Sequence, residues 1–138
     1  MSILQTLVTS FKQQILLGEH DLLADTLKMA LFTANANLNT DTTVYDTTNE
    51  IVGGGYTAGG VVLVNVTVLS SGSTAYVSFD NAVWNPAGFT ARCALVYNSS
   101  KSNKAIAVID FGSDKSSNPV FTVQMPPNTA SSAIIRIA

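Results

Sequence analysis

The chain has 138 residues, which suits a single domain long enough to bury a hydrophobic core without disulfides or metals. Charged residues make up only 12%, against roughly 25% in average soluble proteins, and 14 Ser, 15 Thr and 11 Asn take their place. A surface with so little charge suits a protein inside a permanent assembly. The net charge of −2 and the scattered Lys and Arg residues argue against a nucleic-acid partner.

Secretion and membrane insertion are not expected from this sequence. The single cysteine, Cys93, cannot form an internal disulfide, and its apolar neighbours predict a small core side chain rather than a reactive thiol. The N-terminus lacks the basic region, apolar block and cleavage site of a signal peptide. No apolar run approaches the roughly 18 residues that a membrane-spanning helix needs.

The convincing helical periodicity lies in residues 2–17. Apolar residues recur there at spacings of three and four, at Leu4, Leu7, Val8, Phe11 and Ile15. Ser2 can cap the start of this amphipathic helix, and Gly18 can end it. The helix either packs on the edge of the domain core or acts as an arm that docks Leu4, Leu7 and Phe11 on a neighbouring subunit.

From residue 26 onward the pattern is that of short strands separated by turns. Residues 26–33 predict a first strand, followed by a long connection over residues 34–60. Residues 61–69 and 74–79 alternate as a β-hairpin, and residues 80–88 predict an irregular loop around Trp84. A second hairpin, over residues 90–97 and 104–111, is apolar on both faces and is therefore expected to be central.

The rest of the chain predicts a turn region at residues 112–119, a strand at 120–124, a break at 125–128 and a final strand at 132–138. About seven short strands favour a mainly β fold, a single antiparallel β-sandwich or jelly-roll-like domain preceded by the amphipathic helix. We therefore divide the chain into a helical arm and bridge, residues 1–25, and a β-sandwich domain, residues 26–138.

A glycine-rich segment precedes the first hairpin. Five glycines surround one tyrosine, Tyr56, at Gly53, Gly54, Gly55, Gly59 and Gly60. Glycines are useful where the backbone takes positive φ angles or approaches another surface closely. Two explanations follow: an internal turn of the fold, or an interface in which Gly53, Gly54 and Gly55 present Tyr56 as an anchor to a neighbouring subunit.

Catalytic and metal-binding patterns are weak. His20 is the only histidine, and it lies in a polar bridge far in sequence from Cys93, which argues against nucleophilic catalysis and a zinc site. The carboxylates of the 34–60 connection, Asp41, Asp46 and Glu50, have Thr and Asn neighbours typical of a solvated loop. They lack the regular spacing of a calcium loop, as do Asp110 and Asp114. We therefore expect no enzyme, no cofactor and no metal.

Three groups of segments carry a family resemblance: residues 27–33 with 45–60, residues 76–84 with 89–92, and residues 103–112 with 133–137. The motif in residues 48–60, Thr-Asn-Glu-x-x-Gly-x-Gly-Tyr-Thr-Ala-Gly-Gly, is the most specific of them. Together they resemble a family of small structural proteins encoded by tailed bacteriophages. The resemblance covers most of the chain from Thr26 and implies a role in the virion with no catalytic residues.

The resemblance implies capsid decoration (cement) or, alternatively, a tail, adaptor or fibre component. We favour a cement protein that binds the major capsid protein, or another virion protein, as a small homo-oligomer around symmetry axes. Its location would be the virion, assembled in the host cytoplasm. Binding many identical sites on a lattice would offset a modest affinity for each.

A carbohydrate-binding module for host attachment is the alternative from another class. Such modules stack sugar rings on exposed aromatic side chains, and the candidates are Tyr45, Tyr56, Tyr76 and Trp84. With one tryptophan and 8% aromatic residues the platform is thin, and Trp84 is expected to be a core side chain.

Overall fold

A computed structural model describes residues 3–125, 129 and 131–137 of the chain, and the fold is mainly β with antiparallel sheets. The described residues form one helix and ten strands, in chain order: β1 Thr6–Leu7, α1 Thr9–Leu16, β2 Leu27–Phe32, β3 Val61–Val62, β4 Thr67–Ser71, β5 Thr74–Ser78, β6 Ala82–Trp84, β7 Phe89–Asn98, β8 Lys104–Ser117, β9 Phe121–Val123 and β10 Ile135–Ile137. They form a five-stranded sheet in the order β1-β8-β7-β2-β3, a three-stranded sheet in the order β10-β5-β4, and the pair β6-β9.

The five-stranded sheet contains the centre of the core. In β2 both faces are buried, with Met29 and Leu31 on one side and Ala30 and Phe32 on the other. Residues 93–98 of β7 pair with the whole length of β2, and β7 is buried almost as completely as β2. The expectation that the second hairpin is central is therefore confirmed.

The helix is much shorter than the predicted span of residues 2–17. Thr6 and Leu7 instead form β1, which pairs with Val108 and Ala107 of β8. A strand on the edge of β8 satisfies backbone groups that a marginal first helical turn would leave open, so tertiary pairing overrides the helical pattern. Ser2 lies outside the described residues.

The predicted end of the helix is confirmed. Gly18 has a φ of +73° and follows the C-cap residue Leu17. The N–H of Gly18 donates to the carbonyl of Ile15, and the N–H of Glu19 donates to that of Gln14. This pair of bonds is a Schellman motif, which satisfies the last helical carbonyls.

Three predictions differ from the structure in where strands begin and end. The segment 61–69 is two strands rather than one, because Asn65 takes a φ of +55° and its amide donates to Asp80 at 2.5 Å. The predicted turn region 112–119 continues β8 as far as Ser117, which pairs with Phe89. Cross-strand pairing there overrides the turn propensity of a Gly-, Ser- and Asp-rich sequence. The loop 80–88 likewise contains a short strand, β6.

The N-terminal segment and the β domain share one core. Helix α1 packs against β8, and its Phe11 is buried with the core side chains of the sheets. The segment 1–25 is thus a distinct region of sequence whose described part is joined to the sheets by β1 and by the helix. No helix in the described part of the chain is long and apolar enough to cross a membrane.

Candidate interaction surface

The glycine-rich segment is organised around a buried carboxylate, Glu50, of which 5% is exposed. Its oxygens accept hydrogen bonds from the Tyr45 hydroxyl at 2.6 Å, the Tyr56 hydroxyl at 2.5 Å and the Gly59 N–H at 2.8 Å. Tyr97 donates its hydroxyl to the Gly59 carbonyl at 2.6 Å. Three donors satisfy the buried carboxylate, so this arrangement fixes the segment against the sheet.

The Tyr56 side chain is buried in the core. Its hydroxyl accepts a hydrogen bond from the Leu31 N–H at 2.9 Å while it donates to Glu50, and its ring stacks on Trp84 and contacts the edge of Phe89. Burial and the bond to Glu50 raise the pKa of the Tyr56 phenol well above its ordinary value. Tyr56 is therefore not presented to a neighbouring subunit as an anchor.

The glycines serve the same internal packing. A Cβ on Gly60 would overlap the carbonyl oxygen of Met29, and one on Gly54 would overlap that of Gly88. Both residues have positive φ, of +80° and +62°, as does Gly53 at +84°. The Gly88 N–H donates to the Gly54 carbonyl at 2.8 Å, which ties the segment to the loop before β7. Close approach within the chain accounts for Gly54 and Gly60, whereas at Gly53 a Cβ would have free space and the positive φ alone favours glycine.

The carboxylates of residues 41–50 do not converge. Glu50 is held by its internal network, whereas the Asp46 carboxylate accepts from the N–H and hydroxyl of Thr48, bonds that lower its pKa. No group of three or more His, Cys, Asp or Glu side chains in the described chain is placed to hold a metal ion.

Two predicted core residues are confirmed. Cys93 is fully buried in β7, and burial raises the pKa of its thiol to about 12. Trp84 is 4% exposed and packs against Phe121, so its face is closed to a sugar ring. Sequence reasoning identified both from apolar neighbours alone.

The three predicted interface residues of the N-terminal segment have different environments. Phe11 is 2% exposed and packs edge-on against the His20 ring. Leu7 is half-buried in β1 against the core, whereas Leu4 is 51% exposed. Phe11 thus packs on the core of its own chain, as the first of the two alternatives for the helix predicts. Of the three residues only Leu4 projects substantially into solvent.

An apolar groove of about 410 Å³ lies between the C-terminal part of α1 with residues 18–23 and the sheet β10-β5-β4. At its rim Leu23, Val68 and Ile137 are 63%, 51% and 56% exposed. The charged residues in its described lining are Asp21 and Arg136. Its floor is built from buried side chains: Phe11, Leu22, Val77 and Ile135. We call this cavity the apolar groove.

A polar network stands beside the floor of the apolar groove. The His20 ring bonds through Nε2 to Gln14 Oε1 at 2.8 Å and through Nδ1 to Asn98 Nδ2 at 3.0 Å. The Asn98 amide also donates to Asp25 at 2.8 Å, and Lys101 donates to both oxygens of Asp25. An amide nitrogen only donates, so Nδ1 must accept, and the neutral Nε2–H form of His20 satisfies both contacts.

The surroundings of this network change the pKa of two of its side chains, His20 and Asp25. Burial is the main cause that lowers the pKa of His20, and the positive charge of Lys104 lowers it further. Burial would raise the pKa of Asp25, but hydrogen bonds from Asn98, Lys101 and the Asp21 N–H, with the charge of Lys101, outweigh it and lower that pKa to about 2. The network is fully paired and joins residues 14–25 to the end of β7.

The apolar groove was not predicted from the sequence. Exposed leucines lie at the end of the helix and within the following bridge. Leu16 and Leu17, next to the groove-lining segment, are 87% and 67% exposed. The pairs Leu16-Leu17 and Leu22-Leu23 in an otherwise polar stretch were the available signal. Their meaning depended on the sheet β10-β5-β4, which is distant in sequence.

No protein-family model matches this chain, and searches of curated proteins and of solved structures found no match either.

Proposed function

We propose that this chain is a non-enzymatic structural protein of a tailed-bacteriophage virion, specifically a capsid decoration (cement) protein that binds the major capsid protein. The observation that carries the proposal is the apolar groove, with exposed Leu23, Val68 and Ile137 at its rim, on a chain with only 12% charged residues. Exposed apolar surface with a polar border is typical of protein interaction sites. The resemblance of residues 48–60 to phage structural proteins supplies the virion context.

The proposal includes the finer architecture, in which the sheets stack as a β-sandwich or jelly-roll-like domain. Burial of both faces of β2 supports this, since each face then needs a covering layer. A tail, adaptor or fibre component is the alternative within the virion. A carbohydrate-binding module has less support, because Tyr56 and Trp84 are buried.

Particle binding tests the proposal. Purified chain is added to particles of the virus that encodes it, grown without its gene, and bound chain is measured by co-sedimentation. We expect saturable binding at a fixed ratio to the major capsid protein. Leu23→Asp should weaken this binding at least about tenfold, because a charge would be desolvated in the apolar groove.

Val52→Asp is the matched control, because Val52 is 93% exposed and lies outside the groove lining. It should bind like the wild-type chain. Absence of saturable binding to particles would overturn the cement assignment. An equal loss in both variants would overturn the assignment of the groove as the contact surface.

A further inference from the structure

Strand β4 forms an open edge of the sheet β10-β5-β4. All five of its residues are exposed on both faces of the strand, including Val68 at 51% and Leu69 at 45%. Within the described chain β4 pairs with β5 alone, and no other backbone hydrogen bond reaches its residues. Its outer N–H and C=O groups are therefore available to another strand.

The edge lacks the usual protection against pairing. Natural edge strands carry charged side chains, proline or a bulge, or are covered by a loop. The sequence of Thr67–Ser71 has no charge and no proline, and its pairing with β5 runs without a register shift. An unprotected edge of this kind is typical of a strand that pairs in the assembled protein.

The hairpin turn fixes which groups point outward. Ser71 pairs with Thr74 across the two-residue turn Gly72-Ser73, in which Gly72 has a φ of +60°. Such a turn makes Ser71 and Thr74 a hydrogen-bonded pair. Hydrogen-bonded and non-hydrogen-bonded pairs alternate along an antiparallel ladder, so the backbone groups of Val68 and Ser70 face outward.

We propose that β4 pairs with β4 of a second copy of this chain, antiparallel and about a two-fold axis at Leu69. The outward N–H and C=O of Val68 then bond to those of Ser70 of the partner subunit, and the same exchange repeats across the axis. Leu69 faces its own counterpart as a non-hydrogen-bonded pair, in which side chains approach most closely. The result is a continuous sheet with three strands from each copy.

A second copy fits this edge for two reasons. The outward groups alternate with the spacing that a two-fold axis at Leu69 requires, so pairing leaves neither Val68 nor Ser70 unsatisfied. The strand is also uncharged, so facing itself brings no like charges together. Two-fold pairing is closed and consumes this edge, which gives a dimer rather than a filament.

Cysteine cross-linking of the full-length chain tests this geometry. In a non-hydrogen-bonded pair the Cα atoms lie about 4.5 Å apart, which is within disulfide range. Leu69→Cys, mildly oxidised with copper phenanthroline, should therefore run as a covalent dimer on a non-reducing gel. Native Cys93 is fully buried, so the wild-type chain should stay uncross-linked.

Val83→Cys is the control, since Val83 is a strand residue with a similar exposure of 48%. It should cross-link far less than Leu69→Cys. Light scattering should give the wild-type chain about twice its mass of 14.5 kDa. Leu69→Lys places like charges opposite each other and should give a folded monomer.

A wild-type monomer at all concentrations, or equal cross-linking of Leu69→Cys and Val83→Cys, would overturn the pairing. Circular dichroism of each variant checks that it folds, and Ser70→Pro provides a second test. Proline removes the outward N–H of Ser70 without breaking a bond to β5, so it should also give a monomer. These measurements use purified chain alone, so they stand or fall independently of the virion role.

Discussion

The Tyr56 hydroxyl connects two parts of the chain that are distant in sequence. It accepts from the Leu31 N–H of β2 and donates to Glu50 of the long connection. A buried hydroxyl with both roles used is costly to remove, because each partner then loses its bond in a place that water does not reach. The motif in residues 48–60 therefore has a structural role within the chain, because its glutamate, tyrosine and glycines form one internal arrangement.

Tyr56→Phe should therefore lower the free energy of unfolding by about 1–3 kcal/mol. The change keeps the ring and its packing on Trp84 but leaves the Leu31 N–H without an acceptor. Urea unfolding measures the loss. Tyr76→Phe, on the half-exposed tyrosine of β5, is the control and should change stability by less than about 0.5 kcal/mol. Equal effects of the two substitutions would contradict the internal role of Tyr56.

At the scale of elements, the network of His20, Asn98 and Asp25 fastens the bridge after α1 to the end of β7. His20 is neutral in this network, since protonation of Nδ1 would set a donor against the Asn98 amide donor. The link between this bridge and the end of β7 therefore depends on the charge of His20.

This arrangement predicts a pH dependence of stability. The pKa of His20 is lower in the folded chain than its ordinary value of 6.5, so the unfolded chain takes up the proton first as the pH falls. The stabilisation is present above about 6.5 and is lost below it. Thermal unfolding between pH 7.5 and 5 should show a falling melting temperature. His20→Gln should flatten that fall, and an unchanged slope would contradict the assignment.

The strands that could be predicted are those whose own sequence determines their burial. Both faces are apolar in most of β2, in residues 93–97 of β7 and in residues 105–108 of β8, and the structure places these stretches at the centre of the core. The wrong predictions concern segments whose secondary structure is determined by pairing with a strand that is distant in sequence. Residues 6–7 have a helical period but pair with β8, and residues 115–117 lie in a stretch with turn propensity but pair with β7.

The residues of the candidate site differ in the same way, since only some of them have environments determined by nearby sequence. Core positions such as Trp84 and Cys93 follow from local apolarity. The apolar groove does not, because its two walls are 45 to 126 positions apart in sequence and meet only in the folded chain. The environment of Tyr56 was undecided for a similar reason, since its partners Leu31 and Trp84 lie far from it along the chain.

At the scale of the whole molecule, the chain combines a densely packed central sheet with an unusually uncharged surface. Exposed apolar side chains lie on the groove rim and along β4. The glycine-rich segment, in contrast, packs against other parts of the same chain. We propose one contact at each surface, with a lattice partner at the groove and with a second copy at β4. Both contacts would gain from repetition on a particle.

Cryo-EM of the virus particle tests the proposed role most directly. We expect density on the outer face of the capsid shell into which the sheet β1-β8-β7-β2-β3 fits, with the apolar groove against the major capsid protein. Particles grown without the gene should lack that density and no other. Density confined to the tail would contradict the cement assignment, and particles with no such density would contradict a structural role in the virion.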